Sequence, residues 1–439
     1  MGTGTGFKKG ASSIYPLLIA LALVLSPDEG RGAGAGGGAE GVAIEPATLK
    51  ELIEYGVENN PRIGAAKLRW MRVAEKYPQA TSLSDPMLTY TLPIEKVETR
   101  LGSQDHIIML SQKLPYPGKL ALKGEVVNKD AAIARTGYER VVRDVTAKIK
   151  KSFYELYYID HAIELAEENK TVLEYFSKIT TTNYGIDEKA LDGLIRAQTQ
   201  YGKASSMLIT LREMRSAREA RLNALLNRAP GEPVGTPAEP ILKPLGHSLD
   251  ELYEWGSENQ ELRISRLRVE KNELKKRLSG YAYRPDFRVG LNYIVTGDPP
   301  MSGIDDAGRD AVALTFGLNI PLWSRKNRAA VNEAGLGIAE ALEERAALTR
   351  EVTNSIKGVY HNLKANEQLI ALYRDSLIPE ARQSMEIAET WYKNGRGPLS
   401  GLLETQSIWL NFKLAYHRAV ADYLKNTAEI ERLTGREFY

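Results

Sequence analysis

Histidine is the side chain most often used for proton transfer or metal ligation near neutral pH, and this chain has five: His106, His161, His247, His361 and His417. None stands at a ligand-like spacing from another. No His-Glu-x-x-His helix, Ser-His-Asp signature or phosphate-cradling loop occurs. Cysteine is absent, which removes thiolate metal sites, thiol nucleophiles, disulfides and lipid attachment through a cysteine. Paired acids such as Glu167 and Glu168 lie in a helical pattern and read as a solvated face. The residues point to no catalytic centre, cofactor or resident metal. Function has to be sought in the elements instead.

The chain has 439 residues, 43% of them hydrophobic, enough for a substantial core. Its 58 basic and 56 acidic residues nearly cancel, and nucleic-acid binding needs a concentrated positive surface. Lys8 and Lys9 precede an apolar run from Ile14 to Leu25, and small residues follow from Gly30 to Gly38. This reads as a secretory leader over residues 1–40, cut after Ala33, Ala35 or Ala39, with a retained anchoring segment as the competing reading. The run is shorter than the ~20 residues a bilayer-spanning helix needs. Periplasm, exterior and outer membrane remain as destinations.

An internal repeat organises the rest. Thr48 to Asn59 (TLKELIEYGVEN) recurs as Ser248 to Asn259 (SLDELYEWGSEN), with seven of twelve positions identical. Leu114-Pro115 matches Ile320-Pro321, and Asp192 to Gln198 matches Ser400 to Gln406. Two copies are expected, at 46–229 and 247–439, joined by a Pro/Gly-rich linker at 230–246.

Each copy opens with a capping box, Thr48 with Glu51 and Ser248 with Glu251, and a second helix follows. The period then changes to two. In the second copy Val289, Leu291, Tyr293, Val312, Leu314, Phe316 and Leu318 alternate with small or polar residues, predicting strands over 286–295 and 311–320. The first copy predicts a weaker pair at 86–92 and 106–114. Strands of about ten residues with this alternation suit an outer-membrane crossing, those seven residues facing lipid. A soluble hairpin is the competing reading for any one pair. Four strands close no barrel, so the membrane reading requires several chains to share one.

Long helical stretches follow, at 118–182 and 188–227 in the first copy and at 324–393 and 398–434 in the second, each pair parted by one turn. An arm of 65 to 70 residues is roughly 100 Å long. A cytosolic coiled-coil rod would need sustained heptads, which are lacking, and would leave the strands unexplained.

This order of elements, with Trp391-Tyr392-Lys393-Asn394-Gly395, Leu402-Leu403-Glu404-Thr405-Gln406, Leu433-Thr434-Gly435 and Ser111-Gln112-Lys113-Leu114-Pro115-Tyr116-Pro117-Gly118-Lys119, resembles the TolC family of outer-membrane efflux proteins. The Pro-Tyr-Pro-Gly-Lys corner is similar to that of members serving heavy-metal exporters of the resistance-nodulation-division class. The resemblance implies a mixed α+β membrane protein: a homotrimer giving four strands per chain to a twelve-stranded outer-membrane β-barrel, continued by a long periplasmic α-helical barrel.

It also implies passive efflux of metal ions or drugs, powered by an inner-membrane pump of the resistance-nodulation-division or ATP-binding-cassette type through a periplasmic membrane-fusion adaptor. Tyr184, Gly185, Ile186, Asp187, Gly395, Arg396, Gly397, Pro398 and Leu399 would form the adaptor-contacting tip. Asp187, Asp192, Ser400 and Glu404 stand near the implied constriction, although Ser400 and Leu403 occupy places where carboxylates are expected. A type I secretion duct and a soluble periplasmic coiled-coil scaffold are the alternatives.

Overall fold

A computed structural model describes residues 48–183, 189–299 and 305–438, the side chains at 179–192 excepted. All of these lie in one unit, Ala43–Tyr439; the expected leader lies outside the described residues. In chain order the elements begin α1 (Leu49–Asn59), α2 (Pro61–Ala74), α3 (Lys76–Thr81), β1 (Met87–Thr91), β2 (Glu98–Thr99) and β3 (Gly102–Leu114). Then come α4 (Lys119–Asn183), α5 (Lys189–Leu226), α6 (Leu249–Gly256), α7 (Gln260–Gly280), β4 (Phe287–Thr296) and β5 (Ala311–Leu318). The chain ends with α8 (Ser324–Leu372), α9 (Ile378–Lys393) and α10 (Leu399–Thr434).

Caps set the short helices. Thr48 Oγ1 accepts from the Glu51 N–H at 3.3 Å while the Glu51 carboxylate accepts from the Thr48 N–H at 2.9 Å; Ser248 and Glu251 repeat the box at 3.3 and 2.7 Å. Each box satisfies two donors that a helix start leaves orphaned. Asn60 caps α2 and Asn259 caps α7, each side chain accepting from backbone N–H groups two or three residues on. A Cβ added at Gly56 would overlap Ile149 Cδ1, and one at Gly256 would overlap Ile356 Cδ1. These two glycines let the ends of α1 and α6 lie directly on α4 and α8.

At 65 residues α4 extends about 100 Å. The second arm departs from the expected unbroken helix over 324–393. A π turn at Tyr373–Leu377 parts α8 from α9, just ahead of Pro379. Proline has no N–H to return to the carbonyl four residues back, and the wider turn absorbs that defect. The core gathers Leu52 of α1, Ile149 and Leu156 of α4, Leu222 of α5, Leu252 of α6, Ile356 of α8 and Ile430 of α10. Val234 and Leu245, either side of the linker's centre, pack into the same cluster.

The strands form an antiparallel sheet in the order β1-β3-β4-β5, with β2 paired off the end of β3. Hairpins from the two halves of the chain therefore meet along β3 and β4. Among the described residues β1 and β5 have no partner on their outer edges.

Candidate functional site

Cross-strand pairing carries single rows of apolar side chains across the whole sheet. Leu88 pairs Leu110, Leu110 pairs Leu291 and Leu291 pairs Leu314; beside that row run Tyr90, Ile108, Tyr293 and Val312. Paired residues share a face, so Val289, Leu291, Tyr293, Val312, Leu314, Phe316 and Leu318 stand on one side. The leucines of the first row are 56, 50, 50 and 60% exposed in strand order, so none of the described residues covers them. The reverse face carries Thr89, Ser111, Gly290, Asn292, Ala313 and Thr315, and Asn292 Nδ2 donates to Thr315 Oγ1 at 2.6 Å. An isolated apolar row of this size invites a membrane or another chain.

The corner after β3 is held by a residue that sequence reasoning missed. Lys119 Nζ donates to both Asp286 carboxylate oxygens, at 2.9 and 3.0 Å, and the Tyr116 N–H donates to Oδ1 at 3.1 Å. Lys113 stands 3.6 Å away. Gly118 turns the chain at φ +85°, where an added Cβ would lie 2.8 Å from the Tyr281 hydroxyl. Asp286 immediately precedes β4, so one carboxylate ties the root of β4 to the start of α4. The corner motif thus has a structural role.

At the other end of the long arms, the turn from α9 to α10 is closed by its own backbone. The N–H groups of Gly395, Arg396 and Gly397 donate to the carbonyls of Tyr392, Trp391 and Trp391 at 3.0, 2.8 and 3.2 Å, with Gly395 at φ +68°. Gly395, Arg396 and Pro398 are exposed, Gly397 is half-buried and Leu399 is buried. Leu399, expected on the docking surface, instead packs with Leu402 and Leu403 against Leu173 and Phe176 of α4 and Ala197 of α5. Tyr184, Gly185, Ile186 and Asp187 lie outside the described residues, as does the Asp192 side chain.

Residues 252–436 match the family model described as outer membrane efflux protein. Over that stretch the chain is similar to the outer membrane efflux protein family. The fold agrees. VceC from Vibrio cholerae is matched with a TM-score of 0.72 at 16% identity, over 89% of this chain and 97% of that one. CusC is matched with a TM-score of 0.75 at 12% identity, over 92 and 96%, and the open state of the Neisseria gonorrhoeae MtrE channel with a TM-score of 0.68 at 15% identity, over 88 and 89%. A comparison with curated proteins returns no match. At these identities the likeness to the solved channels is one of fold.

The ionisable residues singled out in the sequence can be placed one by one. Ser400 is half-buried and Glu404 exposed, and the described residues bring no ring of carboxylates together around them. Leu403 fills the place beside Glu404 as a core residue. The histidines are more organised than their spacing implies: His161 of α4 and His417 of α10 stack at 4.4 Å, and the Tyr157 hydroxyl lies 3.1 Å from His417 Nδ1. Burial, with His161 and Lys413 nearby, pushes His417 down to about 4. His106 sits 2.9 Å from the Tyr90 hydroxyl, and His247 packs against Trp255 and Phe438. Among the described residues no group of three or more His, Asp or Glu side chains could hold a metal ion, and no helix is long and apolar enough to cross a membrane.

Proposed function

We propose that the chain is the outer-membrane duct of a tripartite efflux system, in which three copies close their sheets into one twelve-stranded barrel and their long helices into a periplasmic tunnel. The observation that carries this is the sheet itself. It has an exposed apolar face and, among the described residues, two unpaired edges, β1 and β5, and an edge in lipid leaves backbone groups with no water to satisfy them. Joining β5 of one copy to β1 of the next removes every edge. A soluble periplasmic scaffold would instead hold Leu88, Leu110, Leu291 and Leu314 in water.

Within this reading 46–229 and 247–439 are tandem copies joined by 230–246, behind a leader over 1–40. The seven apolar residues of β4 and β5 face lipid. The turns at 184–187 and 395–399 meet the adaptor and the inner-membrane pump, with Gly395, Arg396 and Pro398 as the exposed part of the second turn. Conduction is passive. The pump supplies the energy, and opening moves the tips apart as rigid arms, with Asp187, Asp192, Ser400 and Glu404 near the constriction. Since Lys119 is engaged with Asp286, the corner motif gives no argument for a metal cargo. Native mass spectrometry of the detergent-extracted protein tests the assembly: a particle of three protomers is expected, and a monomer would overturn the reading.

A further inference from the structure

The helical wall has two sides of opposite character. On one, Ile149, Phe153 and Leu156 of α4 and Val420, Tyr423 and Ile430 of α10 are buried in the core that also takes up the linker. The Tyr423 hydroxyl donates to the Lys243 carbonyl at 2.7 Å, fixing the linker on that side. The other side of α10 presents Arg418, Asp422, Lys425, Glu429 and Arg432, spaced at i, i+4, i+7, i+11 and i+14 along one stripe. Lys148, Lys151 and Glu155 make the matching stripe on α4, and Arg218 and Arg221 of α5 complete the rim of a groove of about 310 Å³.

Charges in this groove do not balance. Glu155 takes Arg418 at 3.1 Å and Lys425 at 2.6 Å, and Asp422 takes the same two cations at 3.1 and 3.0 Å. Glu429 takes Lys151 and Arg432. Burial raises the Glu155 carboxyl, but hydrogen bonds and charge from Lys425 and Arg418 outweigh it and hold the group below its usual range. Every acid facing the groove is therefore already engaged. Lys148, Arg218 and Arg221 line it with no carboxylate of the described residues within 4.0 Å. Guanidinium pairs with open forks suit planar, multiply charged oxyanions, which they hold by paired hydrogen bonds.

We propose that this groove is an anion-binding station on the wall of the conduit, and that the duct favours solutes bearing carboxylate or phosphate groups over free metal cations. The inference rests on the duct reading: with the linker and short helices covering one side of the wall, the bare charged side is the one that lines the passage.

The test is single-channel recording of the purified full-length protein in planar lipid bilayers at low salt, where surface charge is least screened. A potassium chloride gradient reads selectivity, and citrate and inorganic phosphate serve as probes. The expected result is chloride over potassium selectivity and a concentration-dependent block, by citrate if carboxylates are favoured and by phosphate if phosphates are. In the Lys148→Glu, Arg218→Glu, Arg221→Glu variant selectivity should fall and block should weaken about tenfold or more, the scale of a lost hydrogen bond to a charged group. Replacement by Gln at the two arginines should give an intermediate loss. Cation selectivity in the unaltered protein, or no change on charge reversal, would overturn the anion site. Loss of the three-protomer particle in the Gln variant would identify the groove as an interface between copies and overturn it too. Failure of an intact trimer to conduct at all would instead remove the duct reading beneath it.

Discussion

Lys119 and Asp286 meet across 167 positions of sequence, the lysine donating to both carboxylate oxygens at 2.9 and 3.0 Å. Through them the root of β4 is bonded to the start of α4, so the junction of sheet and helix in one half of the chain depends on a residue from the other. Lys119→Met should destabilise the folded protein by roughly 1–3 kcal/mol, the scale for leaving a poorly solvated charged acceptor short of a donor. Lys113, at 3.6 Å, moderates that cost, so the double variant with Lys113→Met should melt lower still. Thermal unfolding of the detergent-solubilised protein measures both, and equal melting of all three would show that the pair carries no stability.

Leu314 and Thr315 are neighbours on β5 that point to opposite faces. Leu314→Arg should impair insertion, since a basic residue facing lipid costs about 2–4 kcal/mol near the midplane. Thr315→Arg should assemble normally and alter conductance. Fractionation into outer membranes reads the difference, and equal defects would refute the assigned faces.

Lys150 and Glu431 pair at 2.5 Å between α4 and α10, with side chains only 8 and 7% exposed. Lys150→Met should cost about 3–5 kcal/mol because it strands a buried carboxylate. Replacing both, by Met and Leu, should restore part of that loss, although Glu431 also accepts from the Phe438 N–H at 2.9 Å and that donor would be left unpaired. Denaturant unfolding of the two variants distinguishes a coupled pair from two independent charges.

His417 makes stability depend on pH in a definite direction. Its folded value is about 4 against an ordinary 6.5, so between these the unfolded chain binds a proton that the folded one refuses. Stability should be undiminished above 6.5 and fall as the pH drops through that window, by at most about 1.4 kcal/mol per unit. His417→Phe should flatten that part of the profile. An unchanged slope in the variant would assign the acid sensitivity elsewhere.

Much of this architecture was legible because it rests on local periods. The alternation from Phe287 to Val295 marks β4 to within a residue of its ends, and the capping boxes at Thr48 and Ser248 mark two helix starts. The start of β3 at Gly102, four residues before the expected His106, was hidden because Ser103, Gln104 and Asp105 have no apolar alternation. The break at Tyr373 was missed although Pro379 signals it, since the apolar pattern continues through it. In the candidate sites, what could be read was whatever neighbours in sequence supply, such as the turn at Gly395. The Asp286 anchor, the His161–His417 stack and the basic groove each join residues from distant helices or strands, and spacing along the chain carries no trace of them.

The close contacts of Gly56 with Ile149 and of Gly256 with Ile356 have a consequence for descent. Any side chain at either glycine would need its isoleucine to move aside or shrink at the same time. A single replacement at either position carries a packing cost that a second change can relieve, and the same double constraint operates at two places in one chain. Such couplings outlast the wording around them, so they should remain detectable in relatives too divergent for the flanking helices to be aligned.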